Sequence, residues 1–501
     1  MTTPSTATDH SIAPGMRAQA EEPRVIRRKR IGLAAGVLLA LVVYFLLPAD
    51  LAQPARMTAA IAALMAVWWM TEAVPLAVTA LLPLVLFPVF NVAPIDDVAP
   101  PYANPIIFLF MGGFLLALAL QRWNLHRRIA LATVLLVGTK PKMLIAGFMI
   151  ATGFLSMWVS NTATAVMMIP IGLSVITLVT ESGNGTSPPK NFSIALMLGI
   201  AYAASIGSLG TIIGTPPNAL MVGYLAEAHD ITVGFGQWML VGVPMAVIFM
   251  TIAWFLLTSV IYKPEMDEIP GGRQLIRSEY KKLGSMSTGE KQVLVVFILA
   301  AAAWISVPLL WPDSNIADAV IAMAVAVILF LLPADFRKGI PLLDWSSAKA
   351  LPWDILILFG GGLALSAQFG SSGLSEWIGT KVAGLEALPL VLLIAVTAGL
   401  VLLLTELTSN TATAATFLPL IGGVAVGLGI DVMLLVIPVA IAATCAFMLP
   451  VATPPNAIAF ASGHVQISDM IRAGAWLNLI ALIITTLTTL TLAVWVFGLV
   501  Y

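Results

Sequence analysis

Ser160-Asn161-Thr162-Ala163-Thr164 is repeated as Ser409-Asn410-Thr411-Ala412-Thr413, and each copy lies inside a long apolar stretch. Hydroxyl, amide and hydroxyl side chains in succession are costly in hydrocarbon unless protein satisfies them or they line a polar cavity. One copy would read as glue between membrane helices, which Ser, Thr and Asn commonly supply. Two copies point instead to a paired site, suited to ions and a small polar solute.

Two further motifs recur in the same order. Leu109-Phe110-Met111-Gly112-Gly113 returns as Leu358-Phe359-Gly360-Gly361-Gly362, shifted by the same 249 positions that separate Ser160 from Ser409. Gly214-Thr215-Pro216-Pro217-Asn218-Ala219 returns 238 positions later as Ala452-Thr453-Pro454-Pro455-Asn456-Ala457. Ordered recurrence at nearly constant spacing makes the chain two structural repeats, with a site expected at their interface, as in many secondary transporters.

Composition sets the class. Of 501 residues 59% are apolar and 10% charged, against roughly 45–50% and 25% in soluble domains, and the mean hydropathy is +0.99. Stretches such as Ile31–Pro48 and Leu477–Tyr501 approach or reach the roughly 20 residues that cross a bilayer. The chain reads as an all-α polytopic membrane protein. Residues 1–30 read as a disordered tail ending in Arg24, Arg27, Arg28, Lys29 and Arg30, which places the N-terminus in the cytoplasm of a multi-pass protein of the cell membrane. A signal peptide fits less well, because no small-residue cleavage site follows the basic cluster cleanly. The first transmembrane half is 31–262, the basic segment 263–290 is a cytoplasmic linker, and 291–501 is the second half. Cys445 is the single cysteine, so neither an internal disulfide nor a Cys-based metal centre can form.

The motifs have physical reasons to sit where they do. Met143–Thr180 would be about 57 Å long as one helix, against a hydrocarbon core of roughly 30 Å. It must tilt, break or turn back. A break at Ser160-Asn161-Thr162 frees backbone groups at mid-membrane, and the same side chains can cap a new helix start at Ala163 or Thr164. Freed carbonyls and hydroxyls suit a cation such as Na+, and the positive end of the following helix suits a carboxylate. The carboxamides of Asn161 and Asn410 serve both, offering oxygen to one and NH2 to the other. Two prolines in each Thr-Pro-Pro-Asn remove two backbone donors, which interrupts a helix. The Gly112 and Gly361 segments are expected to form the tips of re-entrant hairpins, bringing the total to about eleven crossings plus two hairpins.

These motifs resemble the divalent anion/Na+ symporter family, over nearly the whole chain from about Ile31. The resemblance implies two inverted repeats, a homodimer in membrane lipid, and transport domains that move as elevators against a fixed scaffold. It implies a first Na+ site of Ser156, Ser160, Asn161 and the Gly214 carbonyl, and a second of Thr405, Thr408, Asn410 and the Ala452 carbonyl, hence at least two transported ions. The substrate carboxylates would meet Asn161, Thr162, Asn410 and Thr411, with Pro217 and Pro455 shaping the pocket. The family-based expectation is a C4-dicarboxylate such as succinate, malate or fumarate, with citrate and sulfate less favoured and no nucleic acid as partner.

Some members of the family exchange dicarboxylates without sodium. Many such exchangers continue the triplet with Ala-Arg, whereas both copies here continue Ala-Thr, as in sodium-coupled carriers. No Lys or Arg lies near either triplet in the sequence, so a dianion calls for co-bound cations. Glu406, three residues before Ser409, is the acid to weigh for an ionic role against support by hydrogen bonding. An anion channel is the alternative of another class, but the chain has no ring of charges suited to a constriction. No enzyme is expected, since no His-Glu-x-x-His or Gly-x-Ser-x-Gly pattern occurs.

Overall fold

The computed structural model describes residues 22–138, 140–182, 188–269, 271–311, 314–335, 337–382 and 388–500. The first half runs α1 (Pro23–Leu46), α2 (Gln53–Thr71), α3 (Leu76–Ala80), α4 (Leu82–Val89), α5 (Ile95–Val98), α6 (Pro105–Arg122), α7 (Leu125–Val137), α8 (Pro141–Ser156), α9 (Asn161–Ser182), α10 (Lys190–Ser208), α11 (Pro216–His229) and α12 (Phe235–Phe255). The second runs α13 (Gly272–Lys282), α14 (Thr288–Leu310), α15 (Asp318–Leu331), a small hairpin of β1 (Pro333–Asp335) and β2 (Ile340–Pro341), α16 (Trp345–Ala348), α17 (Trp353–Ser371), α18 (Leu374–Val382), α19 (Leu390–Thr405), α20 (Asn410–Gly427), α21 (Met433–Thr444), α22 (Pro454–Ala461), α23 (Ile467–Thr488) and α24 (Val494–Phe497). Nine helices among the described residues are long and apolar enough to cross a membrane, and five shorter apolar helices accompany them. Helix α1 opens at Pro23, so residues 23–30 of the expected tail are helical, while residues 1–21 lie outside the described residues.

The two halves correspond element by element, with α2 matching α14, α6 matching α17, α8 and α9 matching α19 and α20, α10 and α11 matching α21 and α22, and α12 matching α23. Packing between the halves is reciprocal. Helix α22 packs on α9 and α10, and α11 packs on their counterparts α20 and α21. Exchange of equivalent partners is the geometry of a pseudo-two-fold axis. Helices α10 and α21 hold the centre. Every α10 residue from Phe192 to Ser208 is buried, as is every residue of α21, which is why both are apolar on all faces.

The glycine motifs sit elsewhere than expected. Gly112 and Gly361 lie inside the continuous helices α6 and α17, not at hairpin tips. A Cβ on Gly112 would come within 2.6 Å of the Ala322 backbone in α15, and one on Gly361 within 2.3 Å of Ala80 O in α3. The glycines let paired helices touch backbone to backbone, a packing role repeated in both halves.

The turn-backs are found at the Ser-Asn-Thr motifs, and contacts with α10 establish their direction. Along α8, Met149 meets Gly199 and Gly153 meets Gly207, so α8 runs parallel to α10. Along α9, Asn161 meets Ser208 while Gly172 meets Met197 and Ile200, so α9 runs antiparallel to it. Helices α8 and α9 therefore form a hairpin tipped by Met157–Ser160, and α19 and α20 pack on α21 in the same roles. The excess length of Met143–Thr180 is absorbed by turning back.

Candidate functional site

At the first tip α8 stops at Ser156 and α9 begins at Asn161. Ser160 caps the new helix, its Oγ accepting from Ala163 N–H at 3.3 Å. The expected capping is found, with the helix start shifted to Asn161. Asn161 Nδ2 donates to Ser208 Oγ at 3.3 Å, and its Oδ1 is buried with no donor. Ser156 is buried and donates to Gly153 O at 3.1 Å, and Thr164 Oγ1 and Ser205 Oγ are buried without partners. Gly214 folds close against the end of α10, where a Cβ would meet Ser208 O at 2.2 Å. Thr162 is exposed, open to a solute. The site is rich in neutral oxygens that lack donors, which is the chemistry of a cation pocket.

The second tip is built alike. Thr405 Oγ1 lies 2.7 Å from Ala443 O and 2.8 Å from Asn410 Oδ1. One hydroxyl hydrogen serves one of those acceptors at a time, so three oxygens converge on a single proton, an arrangement that a cation relieves. Thr408 Oγ1 is engaged with Leu404 O at 2.9 Å and Thr413 Oγ1 at 2.7 Å. Ser409 holds the N-cap position without a side-chain bond. Thr411 is half-buried.

The Thr-Pro-Pro motifs interrupt the third helix of each half as proline chemistry requires. Pro216 and Pro217 open α11, and Pro454 and Pro455 open α22, positions where a missing N–H costs nothing. Thr215 Oγ1 lies 3.4 Å from Thr444 Oγ1 across the repeat boundary, joining the two breaks. The structure thus brings Asn161, Gly214 and Pro217 together around the end of α10, and Thr405, Asn410 and the Ala452–Pro455 break around the end of α21. Two contributors were not legible in advance, Ser208 Oγ and the Ala443 carbonyl. Ser208 lies six residues before Gly214, and its position just before the break was the available signal.

Glu406 has a structural task. Its carboxylate is buried and accepts from the N–H groups of Phe447 (2.7 Å), Met448 (3.0 Å) and Leu449 (3.2 Å), and from Asn478 Nδ2 (2.7 Å). It holds open the break that ends α21. Its counterpart in the first half is Met157, whose carbonyl accepts from Thr211 Oγ1 at 2.5 Å. Among the described residues no group of three or more His, Cys, Asp or Glu is arranged to hold a metal.

Known proteins resemble this chain over most of its length. Residues 28–499 match the family described as the sodium:sulfate symporter transmembrane region. This chain belongs to that family. The sodium-dependent dicarboxylate transporter SdcS of Staphylococcus saprophyticus is 44% identical to this family member over 467 residues, covering 91% of this chain and 90% of that protein. SdcS of Staphylococcus aureus strain USA300 is 43% identical over the same length and coverage. Among solved structures, the Alcanivorax borkumensis YdaH transporter is similar with a TM-score of 0.56 at 15% identity, covering 89% of this chain and 99% of that one. At that identity the likeness extends to the fold alone.

Proposed function

We propose that this symporter-family member is a secondary active transporter that couples Na+ entry to uptake of C4-dicarboxylates. The observation that carries the reading is the pair of hairpin tips, each placing donor-poor neutral oxygens beside a helix start, in a chain whose relatives are named sodium-dependent dicarboxylate transporters. Helices α9, α11, α20 and α22 all begin at these tips and breaks. Each helix start carries about half a positive charge. The two that begin at the hairpin tips, α9 and α20, offset about one of the two charges of a dicarboxylate, and the bound cations supply the remainder. Asn161, Thr162, Asn410 and Thr411 offer NH2 and OH donors to the carboxylates. Ser156, Ser160, Asn161 and Gly214, and Thr405, Thr408, Asn410 and Ala452, surround at least two ions. Since each substrate charge gains by the presence of the ions, neither binds well alone, and coupling follows.

Counting crossings supports a cytoplasmic N-terminus. With the hairpins at α8–α9 and α19–α20 not counted, the basic segments Arg122–Lys142, Lys263–Lys291 and Arg337–Lys349 all fall on the N-terminal side, as the positive-inside rule requires. Five crossings from α2 to α12, an odd number, invert the second repeat relative to the first. Alternating access is then a movement of the hairpin-bearing unit against a scaffold, an elevator within a homodimer of the cell membrane.

The test is uptake of labelled succinate into proteoliposomes under an inward Na+ gradient or an equal K+ gradient, with and without internal dicarboxylate. Uptake driven by Na+ into empty vesicles is the expected result. Uptake that ignores Na+ and requires internal dicarboxylate would make the protein an exchanger, and unsaturable flux would make it a channel.

A further inference from the structure

The Thr-Pro-Pro-Asn motif ends in an asparagine to which neither ion nor substrate set gives a task. Asn218 and Asn456 are both 0% exposed. Asn218 Nδ2 donates to the carbonyls of Leu209 at 3.3 Å and Thr211 at 2.9 Å. Asn456 Nδ2 donates to the carbonyls of Ala446 and Leu449, each at 3.1 Å. Thr211 and Leu449 are the same position of the two repeats, 238 apart. In each half the side chain reaches back from the first turn of the helix after the break to two carbonyls of the break itself, one of which has a second donor: Trp238 Nε1 on Leu209 O at 3.0 Å and Ala452 N–H on Leu449 O at 3.2 Å.

Only an NH2 group can face two carbonyls at once, which fixes the orientation of each carboxamide. Both its hydrogens are spent on the backbone. The remaining Oδ1 of each residue is buried without a donor, and covalent geometry keeps it beside its own nitrogen, at the break. A leucine there would strip a donor from each of two buried carbonyls, and an aspartate would set a negative oxygen against them. Asparagine alone among residues of this size closes the loop, adds no charge and leaves one oxygen over.

We propose that Asn218 and Asn456 are the positioning residues of the two cation sites, each clamping one break so that its free carbonyls and the Asn Oδ1 present a fixed oxygen cage to Na+. The inference rests on the breaks being Na+ sites. Two side chains that each bridge two carbonyls of a break, one of them at the equivalent position, and carry the same orphaned oxygen in both halves are what a shared task for both ions requires. Substrate recognition is left to the hairpin tips, so the clamps act on cation affinity first.

The experiment is Na+ activation of succinate uptake by wild type, Asn218→Ala, Asn456→Ala and the two Asn→Gln variants in proteoliposomes, with succinate KM measured at saturating Na+. Each Ala variant is expected to raise the half-activating Na+ concentration about tenfold, the cost of two hydrogen bonds of ordinary net strength. Succinate KM at saturating Na+ should move less than about twofold on that scale. Gln, which keeps both donors on a longer arm, should recover part of the Na+ affinity. Unchanged Na+ activation in folded Ala variants, or an equal loss of Na+ and succinate affinity, would overturn the proposal. Hydrogen exchange on the wild-type protein guards against variants that do not fold, since Na+ in place of K+ should protect the backbone of 209–215 and 446–452. Exchange there indifferent to Na+ would also overturn it. A wild-type protein whose uptake ignores Na+ would instead remove the transport reading, and that arm is read before any variant.

Discussion

Replacing Glu406 separates its structural task from an ionic one, because its two oxygens carry unequal loads. Oε1 accepts from Phe447 N, Met448 N and Asn478 Nδ2, whereas Oε2 accepts from Leu449 N and, more weakly, Met448 N at 3.1 Å. In Glu406→Ala three backbone N–H groups and one side-chain amide lose their acceptor. At about 1–3 kcal/mol for each buried donor left unpaired, the three N–H groups alone cost roughly 3–9 kcal/mol. In Glu406→Gln the amide oxygen can occupy the Oε1 position and keep those three donors. The two bonds to Oε2 are then lost, and since Met448 N–H keeps Oε1, Leu449 N–H is the one donor left unpaired, at about 1–3 kcal/mol. Thermal unfolding of purified protein should therefore order wild type, Gln and Ala, with Ala far below Gln. Succinate uptake by Gln should persist with its Na+ dependence intact. A Gln variant as unstable as Ala would refute the accounting. A stable Gln variant whose uptake had lost its cation dependence would show that the carboxylate charge itself takes part in coupling.

Asn161→Ala and Asn410→Ala each remove an oxygen for the ion and an NH2 for the substrate, so both should abolish Na+-driven uptake in folded protein; near-normal uptake in either would contradict the paired site. Gly112→Leu and Gly361→Leu push side chains into the Ala322 and Ala80 backbones and should cost about 1–3 kcal/mol or more by overpacking, visible as a lowered unfolding temperature. Arg128 and Glu290 form an ion pair at 2.8 Å with both side chains 7% exposed, so Arg128→Leu strands a buried carboxylate at about 3–5 kcal/mol. Breaking the half-exposed Arg28–Glu72 pair should cost under about 1 kcal/mol by the same measurement. Asp344 is held below the usual aspartate range by Ser347 N–H, the Ser346 and Ser347 hydroxyls and Arg122. A depressed pKa means that its contribution is complete above the ordinary aspartate value of about 4 and is lost as pH falls further. Stability from pH 5 to 8 should thus be the same in wild type and Asp344→Asn as regards shape, with the acid-side difference between them closing only below that range.

Membrane class, two repeats and the residues of the candidate site are legible because they are properties of local chemistry. A polar triplet in an apolar run is costly wherever it lies, and its duplication exposes the repeat without any knowledge of contacts. Two prolines break a helix in any context. The hairpin tips were misplaced at Gly112 and Gly361 because glycine in an apolar segment is compatible with a turn and with close helix contact alike. Ala322 and Ala80, which decide between them, lie far away in the sequence.

The sequence by itself determined that this chain spans a membrane, that it is built twice, and that Ser-Asn-Thr and Thr-Pro-Pro-Asn interrupt its helices. Tertiary structure alone decided that α8 and α9 run in opposite directions, since that follows from their separate contacts with α10. It alone brought Ala443 O across 38 positions to Thr405, and aimed Glu406 and Asn456 at the two polarities of one broken backbone. Side-chain types fix which bonds can form. Which of the freed carbonyls and N–H groups meet them depends on the packing of helices distant in the chain, because a break supplies partners only where another helix brings them.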